Sequence, residues 1–82
     1  MERAAKYVII DREFCDTAFV FPVWVAHSDV RFKMGGKLLS AGFVRFDEDG
    51  AHAYGKSTGL SCHSRPEDSQ IISEQLGLVA HL

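Results

Sequence analysis

The feature that most limits the fold is a pair of strand-like runs, Leu38 to Phe46 and Ala51 to Thr58, joined by Asp47-Glu48-Asp49-Gly50. An Asp-Gly step between two such runs is a strong hairpin signal, because Gly enters the left-handed region without steric penalty. A hairpin here commits the chain to antiparallel sheet. Its register stays open at this level. A two-residue Asp49-Gly50 turn pairs Asp47 with His52 and Arg45 with Tyr54, whereas a Glu48-Asp49-Gly50 turn with a bulge pairs Phe46 with His52 and Val44 with Tyr54. A slip of one residue exchanges the buried face for the solvent face.

The hairpin also disposes of the one string that names a chemistry. Gly50-Ala51-His52-Ala53-Tyr54-Gly55-Lys56-Ser57 matches the phosphate-loop pattern G-x-x-x-x-G-K-[ST]. A phosphate loop needs an apolar strand running into the first Gly and a long helix opening at the Lys-Ser pair. Asp47-Glu48-Asp49 enters this string with negative charge, and the Gly59 and Pro66 that follow it are incompatible with that helix. We therefore expect no nucleotide and no other cofactor. Asp49-Gly50 is read as a turn and Gly55-Lys56-Ser57 as a strand end.

Two further runs, Tyr7 to Ile10 and Thr17 to Phe21, flank the polar stretch from Asp11 to Asp16 and read as adjacent antiparallel strands. Their continuous hydrophobicity suggests burial on both faces, although Pro22 must end the second strand or place it at an edge. Val23, His27, Val30 and Met34 recur at helical spacing, Ser28-Asp29 offers an N-cap and Gly35-Gly36 a stop. This predicts a helix over 28–34, with 22–27 either its first turn or a loop. Ser64-Arg65-Pro66-Glu67 has the form of a capping box, and Ile71, Ile72 and Leu76 form the apolar stripe of a second helix that Gly77 ends near 76.

The expected architecture is α+β: a four-stranded, mainly antiparallel sheet in the order strand, strand, helix, strand, strand, helix, with both helices packed on it. Its predicted core is Val8, Ile10, Phe19, Phe21, Val30, Leu39, Val44, Phe46, Ile72 and Leu76. At 82 residues the chain makes one domain with a thin stability margin. The apolar run from Ala18 to Ala26 is far short of the ~20 residues that span a bilayer, and no secretory segment opens the chain. The expectation is a cytoplasmic protein with no membrane partner, in which Cys15 and Cys62 are reduced thiols.

Candidate sites are few. Four histidines and two cysteines could supply a metal site in number, but no C-x-x-C or H-x-x-x-H spacing is present and no metal is expected. Cys62, just upstream of a helix start and beside His63, is the one candidate nucleophile, and it reads better as a structural residue. No catalytic residue is assigned. From Val30 to Phe46 the chain has no acidic residue, while Arg31, Lys33, Lys37 and Arg45 are basic and Phe32 is interleaved. That pattern could contact a phosphate backbone, but cations also collect at a helix C-terminus for the sake of its dipole. A net charge of −2 gives no general pull toward nucleic acid.

Trp24 and Phe32, together with Leu78 and Val79 of the apolar tail, exceed what so small a core need hold and are candidate interface residues. The reading reached from sequence is a small non-enzymatic protein-interaction domain, self-associating as a homodimer through an edge strand or the tail. The alternative is a nucleic-acid-binding accessory protein using the 31–45 segment. A motif-poor domain of this size is typical of bacterial and phage accessory proteins.

Overall fold

The computed structural model describes residues 3–13, 15–32 and 35–77. Strands β1 (Arg3–Arg12) and β2 (Cys15–Phe21) form the first hairpin, and the short helix α1 (His27–Phe32) follows. Then come β3 (Lys37–Asp47), β4 (Gly50–Tyr54), the two-residue strands β5 (Lys56–Ser57) and β6 (Cys62–His63), and helix α2 (Asp68–Gln75). The main sheet is four-stranded and antiparallel in the order β2-β1-β3-β4, and β5 pairs with β6 in a small second sheet.

The continuous apolar run in β1 is explained by its central position. Tyr7 and Ile9 face α2 and pack with Ala18, Val44, Ala51 and Ile72, while Val8 and Ile10 point the other way and pack with Ala41, Val30 of α1, and Leu60 and Cys62 of the β5–β6 arm. The sheet is thus covered on both faces, and alternation along one strand feeds two cores. β1 is longer than the Tyr7–Ile10 run that announced it. Its pairing with β3 shifts register between Ile9 and Ile10, so one extra β3 residue is accommodated as a bulge. Pro22 ends β2, which is an edge strand and not a two-sided central one.

Several expectations need correction. The second hairpin turns at Glu48-Asp49, and Gly50 pairs with Asp47, so Arg45 lies opposite His52 and Phe43 opposite Tyr54. Neither anticipated register is adopted. The Asp47 carboxylate accepts from the Asp49 N–H at 2.8 Å, a side-chain-to-backbone turn closure that lets the pair Glu48-Asp49 do what Asp49-Gly50 was expected to do. The strand expected over 51–58 breaks at Gly55, whose φ of 76° turns the chain away from the sheet. Residues 59–63, which carried no strand signal, complete the β5–β6 arm.

The capping box does not form. The Ser64 N–H donates to the Gly55 carbonyl at 3.0 Å, and Glu67 sits at the N-cap with no side-chain cap. The backward-reaching carboxylate is instead Asp68, one residue later, whose Oδ2 accepts from the Arg65 N–H ahead of the helix at 2.9 Å. In the core, Val8, Ile10, Val44 and Ile72 are buried, and Phe19, Phe21, Val30, Leu39 and Phe46 are partly so. Leu76, at the C-cap of α2, is 46% exposed, so it is not core. Tyr7 and Ile9, left off the expected core, have no exposed surface.

Candidate functional site

At one end of the sheet, register alone lines up a row of side chains across all four strands. Phe21 of β2 lies opposite Lys6 of β1, Lys6 opposite Phe43 of β3, and Phe43 opposite Tyr54 of β4. His27, at the start of α1, sits over this row. Its ring meets Phe21 edge-on at 5.5 Å and Phe43 edge-on at 5.8 Å, and Phe43 stacks on Tyr54 at 5.8 Å. His27 Nε2 lies 2.7 Å from the Gly42 carbonyl; a carbonyl only accepts, so Nε2 carries the proton. Burial, and secondarily the nearby Lys6 ammonium, press the His27 pKa below its ordinary value against the opposing pull of that hydrogen bond. The histidine is therefore held neutral as a packed connector, which a helical stripe alone does not reveal.

The segment between β2 and α1 is pinned from both sides. Val25 N–H donates to the Pro22 carbonyl at 3.1 Å, closing a turn with Val23 and Trp24 at its tip, and Lys6 Nζ donates to the Val25 carbonyl at 3.0 Å. Trp24 is 83% exposed and Val23 42% exposed. A large indole presented on a hydrogen-bonded turn has little backbone freedom left to lose on being covered.

Below the turn lies a cleft of about 230 Å³, walled by Ala26, His27 and Ser28 on one side and by Lys56, Ser57 and Thr58 on the other, with Lys6 and Phe43 as its base. Lys56 and Ser57 are the last residues of the string that imitated a phosphate loop. In the fold, Gly50 to Tyr54 is strand and the residues after Ser57 lead into β6, so the loop-then-helix geometry of a phosphate loop is absent.

The remaining candidates separate in space. Arg31 donates to the Gly36 carbonyl at 2.9 Å, near the end of the sheet where Lys37 pairs with Asp11. Arg45 is at the other end of β3, roughly 25 Å from Lys37 at the ordinary rise per strand residue, beside Asp47 at 4.0 Å. Lys33, Leu78 and Val79, and the side chain of Phe32, lie outside the described residues. Cys62 and His63 alternate on β6, with the Cys62 thiol 3.8 Å from the Leu39 carbonyl and His63 exposed, so they do not face each other as a nucleophile and base would. Cys15 and Cys62 are both free. Among the described residues, no group of three or more His, Cys, Asp or Glu side chains is placed to hold a metal, and no helix is long and apolar enough to cross a membrane.

No family model, curated protein or solved structure matches the chain, so the geometry itself has to carry any functional reading.

Proposed function

We propose that the chain is a non-enzymatic interaction module that binds protein through the turn carrying Val23 and Trp24, and that its partner is a second copy of itself. The observation that carries this is the exposed Trp24 on a turn already fixed by the Pro22–Val25 and Lys6–Val25 hydrogen bonds. Tryptophan is among the residues most enriched at interface hot spots, and a small domain with a thin margin gains from covering apolar surface with its own symmetry mate. The free thiols of Cys15 and Cys62 are compatible with the reducing cytoplasm.

The nucleic-acid reading through Arg31, Lys33, Lys37 and Arg45 has less behind it, because Lys37 and Arg45 stand at opposite ends of one strand. Sedimentation equilibrium tests the choice. The wild type should run at twice the monomer mass at micromolar concentration with little dependence on salt. Trp24→Ala should weaken the dimer by about 2 kcal/mol or more, roughly thirtyfold in Kd, with its circular dichroism unchanged. A monomeric wild type, or a dimer indifferent to Trp24→Ala, removes the reading.

A further inference from the structure

The cleft beneath the Trp24 turn has a charge character that the packing of the protein does not need. Lys6 and Lys56 line it, and no carboxylate does. Among the described residues neither lysine has an acidic partner, although Asp16, Asp47, Glu67 and Asp68 are all paired elsewhere. Lys6 gives one of the three donors of its ammonium to the Val25 carbonyl, which fixes the side chain at the cleft base. Ser57 is only 3% exposed, lines the same cleft, and its hydroxyl has no hydrogen-bond partner among the described residues. The Ser57 hydroxyl is not an enclosed atom, so although the residue is mostly buried the oxygen stays open at the cleft and can donate there. Two lysines lining one cleft without a carboxylate raise the local concentration of anions there.

We infer that this cleft binds a phosphate-type oxyanion, either free phosphate or the phosphate of a small phosphomonoester, between the ammoniums of Lys6 and Lys56 with the Ser57 hydroxyl as a neutral donor. The site is unlike a phosphate loop. It takes Lys56 and Ser57 from the imitating string but no cradle of backbone amides, and it depends on Lys6, which lies fifty residues away in sequence on β1. It is also independent of the interaction reading, since Trp24 is not part of the cleft wall.

The test is a titration of the ¹⁵N-labelled protein with inorganic phosphate and, separately, with O-phosphoserine, at ionic strength held constant with sodium chloride. The amides of His27, Ser28, Ser57 and Thr58 should shift and saturate. Lys56→Gln, a change at an exposed position, should weaken binding about tenfold or more, as expected for losing a charge-assisted contact, and Ser57→Ala about fivefold. Lys37→Gln and Trp24→Ala should leave the affinity unchanged. Tighter binding of O-phosphoserine assigns the site to a phosphomonoester, and equal or tighter binding of inorganic phosphate to the free anion. Shifts that rise linearly, that chloride reproduces, or that survive Lys56→Gln with undiminished affinity overturn the site.

Discussion

A carboxylate with no exposed surface needs donors on every side, and Asp68 has them from three directions in the fold. Tyr7 donates its hydroxyl to Oδ2 at 2.5 Å from the central strand, the Arg65 N–H reaches the same oxygen, and Arg65 Nε reaches Oδ1 at 2.9 Å. Arg65 extends the network to Asp16 of the edge strand at 4.0 Å, a separation that is electrostatic attraction without a hydrogen bond. The group therefore ties β1, β2 and the start of α2 together inside the α2-side core. Removing one member leaves the others buried and unmatched, a loss of about 3–5 kcal/mol. For a chain of this length the whole stability is about 4–12 kcal/mol at ordinary values per residue. Asp68→Ala should accordingly move the urea midpoint sharply down, and leave the chain unfolded without urea where the wild-type stability lies at the low end of that range. Tyr7→Phe, which keeps the ring and removes one donor to the carboxylate, should lower stability by about 1.5–3 kcal/mol and stay folded. If Asp68→Ala unfolds at the same urea concentration as the wild type, the network is not what secures the helix.

At the scale of elements, α2 does more than cover a sheet face. Gln75 places its carboxamide against the outer edge of β2, accepting from the Ala18 N–H at 2.7 Å and donating to the Ala18 carbonyl. Ser73 Oγ accepts from the Ala51 N–H at 3.0 Å and Ser69 Oγ from the Ala53 N–H at 2.8 Å, on the outer edge of β4. One short helix thus engages both edge strands of a four-stranded sheet. Unpaired edges template pairing with other chains, so these contacts act against edge-to-edge association. Gln75→Leu should lower stability by about 1–3 kcal/mol, the worth of two hydrogen bonds, and light scattering should show aggregation starting at a lower temperature. An unchanged aggregation onset would count against the edge-blocking role.

This device also marks where sequence reading ran out. Strand and helix periodicity, the Pro22 stop, the Gly77 stop and the two antiparallel hairpins were legible, because each is set by neighbours close in sequence. The polar face of α2 was not. Nothing local distinguishes Ser69, Ser73 and Gln75 from a solvated face until the partners on β2 and β4 are known, and nothing in the sequence marks Asp68 as the buried hub. The capping box failed because the Gly55 carbonyl, distant in sequence, claims the Ser64 N–H. The hairpin register failed because the Asp47 side chain closes the turn, which freed Gly50 to join the strand. The cleft was the least visible feature, since Lys6, His27 and Ser57 come together only through the cross-strand row.

At the scale of the whole molecule, the buried titratable groups set limits on stability from both ends of the pH scale. His27 is kept neutral by burial, so its folded pKa lies below the ordinary value of 6.5. On acidification through about 6.5 the unfolded chain takes up a proton that the native state refuses, and stability falls progressively until the lower folded pKa is passed. Asp47 adds to that limb at still lower pH. Its hydrogen bonds from His52 and the Asp49 N–H hold it below 3.8, so its contribution is present above that pH and lost beneath it. Tyr7 acts in the opposite direction. Burial, and then its hydrogen bond to the Asp68 carboxylate, hold its hydroxyl protonated well above the ordinary value of 10.0, so above pH 10 the unfolded chain ionises while the native one cannot, and stability is lost again. Guanidinium unfolding from pH 4 to 11 should therefore give a plateau between about pH 7 and 9 with a fall on each side. His27→Gln, whose amide can still donate toward the Gly42 carbonyl, should flatten the limb between pH 7 and 5. Tyr7→Phe should flatten the rise in instability above pH 10 while lowering the plateau itself. A profile in which His27→Gln leaves the acid limb as steep as before would mean that other groups carry it, and that the histidine is less shielded from water than its place over the aromatic row implies.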